Sequence, residues 1–255
     1  MRYAVLADIH ANLPALRAAL EACRRRGVDG YVVAGDLVGY GPEPNACVDV
    51  VASLDAVCVA GNHDLMALGR LSDERCIPLA RESLAWTRRV LREDVRAFLA
   101  GLPGRAEAPG GVTVAHGSLD DPQRYVRRRH DAAEQLGQLA PGGGLRVLVL
   151  GHTHIPLAYT PSGPRPARGV VRLAADAVAL LNPGAVGQSR ELRARARALI
   201  LDLDRRSAEF LRVPYDVAAC ERALTAAGLS PRSCHLRPSV PRAILREARR
   251  RLDRG

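Results

Sequence analysis

The chain has 255 residues, of which 47% are apolar, and carries a formal net charge of +10 at pH 7. This length and composition fit one large domain or a domain with a small appendage. The sequence contains no uncharged apolar run of roughly 18 residues, so we expect no transmembrane helix. The first apolar stretch contains Asp8 and lacks the basic region and cleavage site of a signal peptide, so we predict a cytoplasmic protein.

The positive charge does not by itself indicate a nucleic-acid-binding protein. All 37 basic residues are arginine, and this bias weakens any inference from their number. Residues 213–255 contain nine arginines and four acidic residues, which we interpret as a solvated helix face in preference to a nucleic-acid-binding tail. The six cysteines are scattered without a C-x-x-C pair, so we expect them to be reduced.

The first part of the chain alternates short apolar strands with helices. Strands are predicted at 2–7, 31–34 and 56–60, and helices at 13–26, where Asn12 is the N-cap and Gly27 ends the helix, and at 45–54. Such alternation is typical of parallel strands joined by crossover helices. Sites in sheets of this kind lie at the carboxyl ends of the strands.

The pattern continues to about residue 154 and then changes. Helices are predicted at 78–100 and 132–139, and buried strands at 112–115 and 146–150. Short strands separated by Pro and Gly turns follow at about 157–160, 168–173, 176–181, 196–203 and 207–213. We interpret these later strands as an antiparallel second sheet, followed by terminal helices at 216–228 and 240–252.

Polar side chains suited to metal binding follow five of the strands. They are Asp8 and His10, Asp36, Asn62, His116, and His152 and His154. Each has an ordinary structural explanation when taken singly, for example a turn cap or a satisfied core histidine. Their recurrence at the ends of apolar strands indicates a shared metal site, and a mixture of Asp, His and Asn suits Mn, Fe, Zn or Ni better than Ca or Mg. Seven side chains exceed the needs of one ion, so we predict two ions roughly 3.5–4 Å apart with one bridging carboxylate.

These blocks, in this order and spacing, resemble the signature of the calcineurin-like metallophosphoesterases from residue 3 to about 190. The blocks are Asp8-x-His10, Gly35-Asp36, Gly61-Asn62-His63-Asp64, His116 and Gly151-His152-Thr153-His154. The segments Gly35–Pro42 and Asn182-Pro183-Gly184 further resemble the small bacterial and archaeal phosphodiesterase branch. The resemblance implies an α/β protein with the metallo-dependent phosphatase fold, a four-layer α/β/β/α sandwich of two mixed β-sheets flanked by helices.

The resemblance also implies a role for each residue. Asp8, His10, Asp36 and His154 would bind the first metal, and Asn62, His116 and His152 would join the bridging Asp36 around the second. Mn is the first candidate for both positions, with Fe, Zn or Ni as alternatives. A metal-bridging hydroxide would attack phosphorus. His63 would act at the leaving group as a general acid or as an electrostatic stabiliser.

The chain departs from the family's protein phosphatases after the bridging aspartate. Those enzymes carry an acid that partners the catalytic histidine, followed by an arginine that holds phosphate, where this chain has Gly39 and Tyr40. Their absence argues against a Ser/Thr phosphatase and leaves open what orients His63, for which the adjacent Asp64 is one candidate. A site without that arginine should prefer a singly charged diester, unless an arginine from 124–129 replaces it. Ala11 stands where a glycine is common, a change that should be tolerated.

We therefore expect a phosphodiesterase or phosphatase that acts on a small phosphate ester or nucleotide. A nucleic-acid phosphatase or nuclease is an alternative, with weak support from the arginines. A non-catalytic scaffold of the same fold should have lost metal ligands, and here all seven are present. We expect a metallophosphoesterase domain at 1–212 and a helical extension at 213–255 packed on it. The sequence does not determine the substrate or the oligomeric state, because specificity resides in loops such as 37–45 and 118–131.

Overall fold

A computed structural model describes residues 1–139, 144–165, 167–175 and 177–238. The strands are β1 (Arg2–Leu6), β2 (Gly30–Val33), β3 (Val57–Cys58), β4 (Arg105–Ala108), β5 (Val112–Ala115), β6 (Arg146–Val149), β7 (Leu157–Thr160), β8 (Gly163–Arg165), β9 (Gly169–Arg172), β10 (Val178–Asn182), β11 (Ala196–Asp202) and β12 (Ser207–Val213). The helices are α1 (Leu13–Arg24), α2 (Pro44–Ala52), α3 (Asn62–Ala67), α4 (Pro78–Val90), α5 (Glu93–Gly101), α6 (Arg129–Gly137) and α7 (Val217–Ala226), followed by a 3-10 helix at Pro231–Cys234.

The strands form two mixed sheets of six, in the orders β3-β2-β1-β11-β12-β9 and β4-β5-β6-β10-β7-β8. Each sheet has a parallel part, made of β1, β2 and β3 in the first and of β5, β6 and β10 in the second. The remaining strands pair antiparallel with these or with one another. The predicted architecture of two mixed sheets flanked by helices is confirmed.

Alternate side chains of β1 show how the layers pack. Ala4 and Leu6 face the helices α1 to α5, whereas Tyr3 and Val5 point into the space between the two sheets. The outer face of the second sheet is covered mainly by α6 and the segment before it, against Leu148 and neighbouring apolar side chains. Burial on both faces explains why the central strands are continuous apolar runs instead of alternating ones.

The prediction that the later strands form a separate antiparallel sheet is wrong. β9, β11 and β12 extend the first sheet, and β7, β8 and β10 extend the second. In particular, β10 runs parallel to β6, with Leu180 opposite Leu148. Short apolar segments between Pro and Gly turns indicate strands but not their partners, and both parallel cores expose an edge that a later strand can complete.

The helix predicted at 78–100 is two helices. The chain is extended at Leu91 and Arg92, between α4 and α5. The backbone N–H of Arg92 donates to Asn45 Oδ1 over 3.0 Å, and its guanidinium pairs with Asp49 and Asp94. These contacts compensate for the interrupted helix. The elements β4, β8 and α3 were not predicted, and the helix expected at 240–252 lies outside the described residues.

The described end of the chain packs on the same body as the rest. α7 contacts α1 and the 3-10 helix, and Leu236 N donates to Ser189 O over 3.0 Å. The division into a domain at 1–212 and an extension at 213–255 stays a prediction. Within the part of the chain that the structure describes, no helix is long and apolar enough to cross a membrane.

Candidate metal centre

The site is built on loops at the carboxyl ends of the parallel strands of both sheets. The loops after β1 and β2 bind each other, because Asp8 N donates to Gly35 O over 3.1 Å and His10 N donates to Asp36 O over 2.9 Å. Five of the side chains predicted to bind metal sit on left-handed backbone, with φ of 53° at Asp8, 47° at His10, 56° at Asp36, 64° at His152 and 59° at His154. This conformation is unfavourable for residues other than glycine, and such strain is concentrated at functional sites.

One group of ligand atoms comes from both sheets. Asp8, His10, Asp36 and His154 are buried, and each offers one ligand atom within 4.8 Å of all the others. The backbone also connects the group, because His152 N donates to Asp8 Oδ1 over 2.9 Å. The loop after β6 is thereby held against the loop after β1.

A second group shares Asp36 with the first. Asp36, His116 and His152 offer ligand atoms within 4.8 Å of one another. Asn62, the first residue of α3, places Oδ1 3.0 Å from His116 Nε2. The structure therefore brings together all seven side chains predicted to bind metal, with Asp36 between two groups of donors.

The hydrogen bonds of the histidines show which nitrogens are free to bind a cation. Nδ1 of His10 lies 3.1 Å from Val38 O, and Nδ1 of His154 lies 2.7 Å from Gln188 O. A carbonyl oxygen only accepts, so both Nδ1 atoms carry the hydrogen and both Nε2 atoms present lone pairs. These two Nε2 atoms are 3.2 Å apart. Two lone pairs at this distance repel each other unless a cation lies beside them.

In the second group, backbone carbonyls likewise leave one nitrogen of each ring facing the centre, but in the metal-free site that nitrogen of His116 carries a proton. His116 Nδ1 lies 2.7 Å from Ala34 O, which leaves Nε2 to face Asn62 Oδ1 and, at 3.2 Å, Asp36 Oδ2. His152 uses Nε2 instead, 3.0 Å from Gln123 O, so its Nδ1 is the free nitrogen. Backbone carbonyls that fix the ring orientation in this way are typical partners of metal-binding histidines.

The carboxylates also contain acceptors without donors. The Oδ2 atoms of Asp8 and Asp36 are buried and have no hydrogen-bond partner among the described residues. A buried acceptor without a partner costs free energy. Together with the facing imidazole lone pairs, these oxygens form a donor set that fits divalent metal ions.

The pKa values of the site reflect burial and close charges. Burial raises the pKa of Asp8 to about 7 and lowers the pKa of His152 to about 3. Burial also lowers the pKa values of His10 and His154 well below the usual range, which favours the neutral imidazole that binds metal. For His116, burial is outweighed by the nearby negative charges, above all that of Asp36, so the pKa of His116 is raised to about 9.

His63 lies beside this centre and is oriented by packing. Its ring packs against the rings of Tyr40 and His10, each with centroids 4.8 Å away. Its Nδ1 is buried without a hydrogen-bond partner in the described residues. Gly39 has a φ of +83°, and a Cβ there would lie 2.5 Å from that Nδ1. Burial lowers the pKa of His63.

Asp64 is not the partner of the His63 imidazole. Its Oδ1 accepts from the backbone N–H groups of Leu37, at 2.9 Å, and of Val38, at 3.1 Å. Its Oδ2 accepts from Gly61 N over 2.9 Å. The carboxylate thus ties the loop after β2 to the start of α3, and it supports His63 only through the backbone.

A cleft of about 550 Å³ opens over the metal centre, and it contains an arginine that sequence reasoning missed. Arg190 lines the cleft, and its Nε donates to Gln188 Oε1 over 3.3 Å. Gln188 also provides the carbonyl that accepts from His154 Nδ1. Nothing in the sequence distinguishes Arg190 from the other arginines of the chain.

The arginines at 124–129 take different positions. Arg124 forms an ion pair with Glu134, with an N–O distance of 2.5 Å, and does not line the cleft. Arg127 does line it, with its guanidinium carbon 4.2 Å from the centroid of the Tyr125 ring. The expectation that the site lacks an arginine is therefore wrong, because Arg190 lines the cleft from another loop and Arg127 lines it from the segment considered as the alternative source.

Comparisons with known proteins point to one family and one fold. A family model described as calcineurin-like phosphoesterase matches residues 1–168. An uncharacterized protein of Methanocaldococcus jannaschii is 32% identical over 218 residues, which cover 84% of this chain and 88% of that protein. The crystal structure of a metallophosphoesterase from Sphaerobacter thermophilus is 35% identical, with a TM-score of 0.79 over 92% of this chain and 96% of that one. A hypothetical protein of Pyrococcus horikoshii is 19% identical, with a TM-score of 0.75 over 91% of this chain and 96% of that chain, and shows the same fold.

Proposed function

From the premise that this chain belongs to the calcineurin-like phosphoesterase family, and is a phosphoric ester hydrolase, we propose that it is a dinuclear metal-dependent phosphodiesterase. Its substrate in this proposal is a small phosphate ester or a nucleotide. The observation that carries the proposal is the position of Asp36, which belongs to both groups of buried donor atoms. A carboxylate shared in this way is suited to bridge two cations.

The residues divide between two positions. Asp8, His10 and His154 would hold one ion with Asp36, and Asn62, His116 and His152 would hold the other. Mn is our first choice for both, because a mixture of nitrogen and oxygen donors suits it. When bound, such ions polarise phosphoryl oxygens and activate water for in-line attack.

Two further side chains would act on the phosphate ester. His63 lines the cleft beside the centre, where it could donate a hydrogen bond or a proton to the leaving oxygen. Arg190 lines the same cleft near the loop that holds His154, so we assign it to a non-bridging oxygen of the scissile phosphate. The guanidinium would both orient this group and offset its charge.

A diester is the preferred substrate class in this proposal. Gly39 and Tyr40 supply neither the acid nor the arginine of the family's protein phosphatases. The charge of Arg190 acts on His63 and His154, and one guanidinium matches the single charge of a diester better than the nearly double charge of a monoester at neutral pH. Phosphoserine peptides should be poor substrates.

Two other functions remain as alternatives. A nucleic-acid phosphatase or nuclease is favoured by the arginines that line the cleft. A scaffold of the same fold is disfavoured by the donor atoms, because seven buried polar side chains, including two carboxylates with an unpaired oxygen, have no structural benefit without a cation.

A panel of phosphate esters assayed with and without metal tests the proposal. We expect chelation to abolish hydrolysis of an aryl phosphodiester, and added Mn or Ni to restore it. The panel should include the matching aryl monoester, nucleotides, a phosphoserine peptide and an oligonucleotide. Full activity in a sample whose metal content is shown to be negligible would exclude this mechanism.

A further inference from the structure

The cleft over the metal centre is lined by more positive charge than one phosphate requires. Besides Arg190, its walls contain Arg75, Arg127 and Arg237, from three separate segments of the chain. The acidic residue in the lining is Asp36, which belongs to the metal centre. The outer part of the cleft is therefore positively charged.

These arginines differ from many others in the chain because no carboxylate in the described residues neutralises them. Arg88, Arg92 and Arg124, for example, each form an ion pair with an Asp or Glu at 2.5–2.8 Å. None of the four arginines of the cleft forms an ion pair with any residue within 1–139, 144–165, 167–175 and 177–238. Their charge remains available to an anion.

The position of Arg127 relative to the centre is set by aromatic packing. Its guanidinium lies over the ring of Tyr125, and that ring packs against the imidazole of His152, with centroids 4.2 Å apart. Arg190, in contrast, is tied through Gln188 to the loop that holds His154. Arg190 is thus linked to His154 through Gln188, and Arg127 is linked to His152 through the ring of Tyr125.

The cleft also has apolar side chains at its rim. Ile77 and Ile155 are each 49% exposed, and both line the cleft. Large apolar side chains that remain this exposed in a binding cleft can contact an apolar or flat part of a ligand. The positive charge of the cleft and its apolar rim together suit an anion that carries an organic group.

We propose that the substrate is a small organic compound with a second phosphate group besides the scissile one, which Arg127 binds together with Arg75 or Arg237. This inference rests on the proposed function, because it assumes that the scissile phosphate lies at the metal centre beside Arg190. A volume of about 550 Å³ suits a compound the size of a nucleoside diphosphate. An extended polymer would instead need a stripe of charge along the surface.

Equilibrium binding measures this without requiring hydrolysis. The metal-loaded protein is titrated by calorimetry with a nucleoside 5′-monophosphate and with the matching 5′-diphosphate, at equal free metal concentration. We expect the diphosphate to bind roughly tenfold more tightly or better, since hydrogen bonds between charged groups are among the strong ones. Arg127→Ala should remove most of this preference, and Arg127→Lys should keep part of it.

Arg129→Ala is the matched control, because Arg129 is exposed on the same segment and does not line the cleft. This variant should keep the wild-type preference. Equal binding of both nucleotides by an active esterase would overturn the second phosphate site and leave the proposed function intact. A preference that Arg127→Ala abolishes, in a protein without esterase activity, would support the site and contradict the proposed function. Tighter binding of an oligonucleotide than of the diphosphate would also overturn the inference.

Discussion

The ring of Tyr40 packs against the imidazole of His63, with centroids 4.8 Å apart and an angle of 32° between the planes. In the described residues no carboxylate accepts a hydrogen bond from that imidazole, and Gly39 leaves just enough space for its Nδ1. The acid and arginine of the family's protein phosphatases are thus replaced by a glycine and an aromatic ring. We infer that shape, and not a charge, keeps His63 in position.

Replacing Tyr40 should impair the same step as replacing His63. Tyr40→Leu removes the flat surface under the imidazole, so kcat should fall, at most by the roughly 10²–10⁴-fold expected for loss of a general acid–base group. Tyr40→Phe keeps the ring and should keep most of the activity. In a His63→Ala background, Tyr40→Leu should have little further effect. Additive losses in the double variant would show that Tyr40 acts elsewhere.

His63→Ala and His152→Ala should fail in different ways. His63 is assigned to the leaving group, so its loss should lower kcat by roughly 10²–10⁴-fold while metal stays bound, and less for an ester with a good leaving group. His152 is assigned as a ligand, so its loss should weaken one metal position. Elemental analysis and kinetics of both variants check this. Equal metal loss would mean that the roles are divided wrongly.

Metal affinity should rise with pH. In the metal-free site the pKa of His116 is about 9, because Asp36 outweighs burial, and burial raises the pKa of Asp8 to about 7. Near pH 7 His116 is almost fully protonated and Asp8 is about half protonated. A cation must displace these protons, so binding should release roughly one to two protons. Affinity should then increase between about pH 6 and 9. Calorimetry in buffers of different ionisation enthalpy measures the release, and binding without proton release would contradict the assigned ligands.

The esterase should prefer aryl diesters over the matching monoester, as judged by kcat/KM at neutral pH. Arg190→Ala should lower both values, with the larger loss for the monoester, because that substrate carries nearly two charges. Arg124→Ala is the control, since Arg124 is paired with Glu134 outside the cleft, and it should behave as wild type. A strong monoester preference in the wild-type protein would contradict the assignment as a phosphodiesterase.

The sequence predicted the site better than it predicted the sheets. Predicted ligands such as Asp8 and His116 follow buried strands, and parallel strands bring such junctions to one edge, so their convergence could be expected. Strand partners could not be predicted, because a short apolar segment such as β10 carries no information about which strand it will pair with, here β6. The cytoplasmic location, the division at residue 212 and the individual ligand roles stay predictions.

Side chains that act through tertiary contacts were harder to find. Arg190 lies 36 residues after His154, and only the fold brings it to the cleft through Gln188. In an arginine-rich chain, no property of Arg190 in the sequence separates it from Arg124, which is paired with Glu134. The support of His63 by Tyr40 also needed the structure, because a tyrosine after a glycine carries no chemical signature of this role.

Counting the metal ions tests the central claim most directly. We predict two divalent ions per chain by elemental analysis after loading with Mn and removal of excess metal. Asp36→Asn is the informative variant, because the amide keeps the shape and can still accept from His63 N, which donates to Asp36 Oδ1 over 2.8 Å. The variant should therefore fold. Because it lacks the bridging charge, it should lose at least one ion per chain, and hydrolysis should be lost with that ion. One ion per chain in the fully active wild-type protein, or two ions retained in an active Asp36→Asn, would contradict the dinuclear centre.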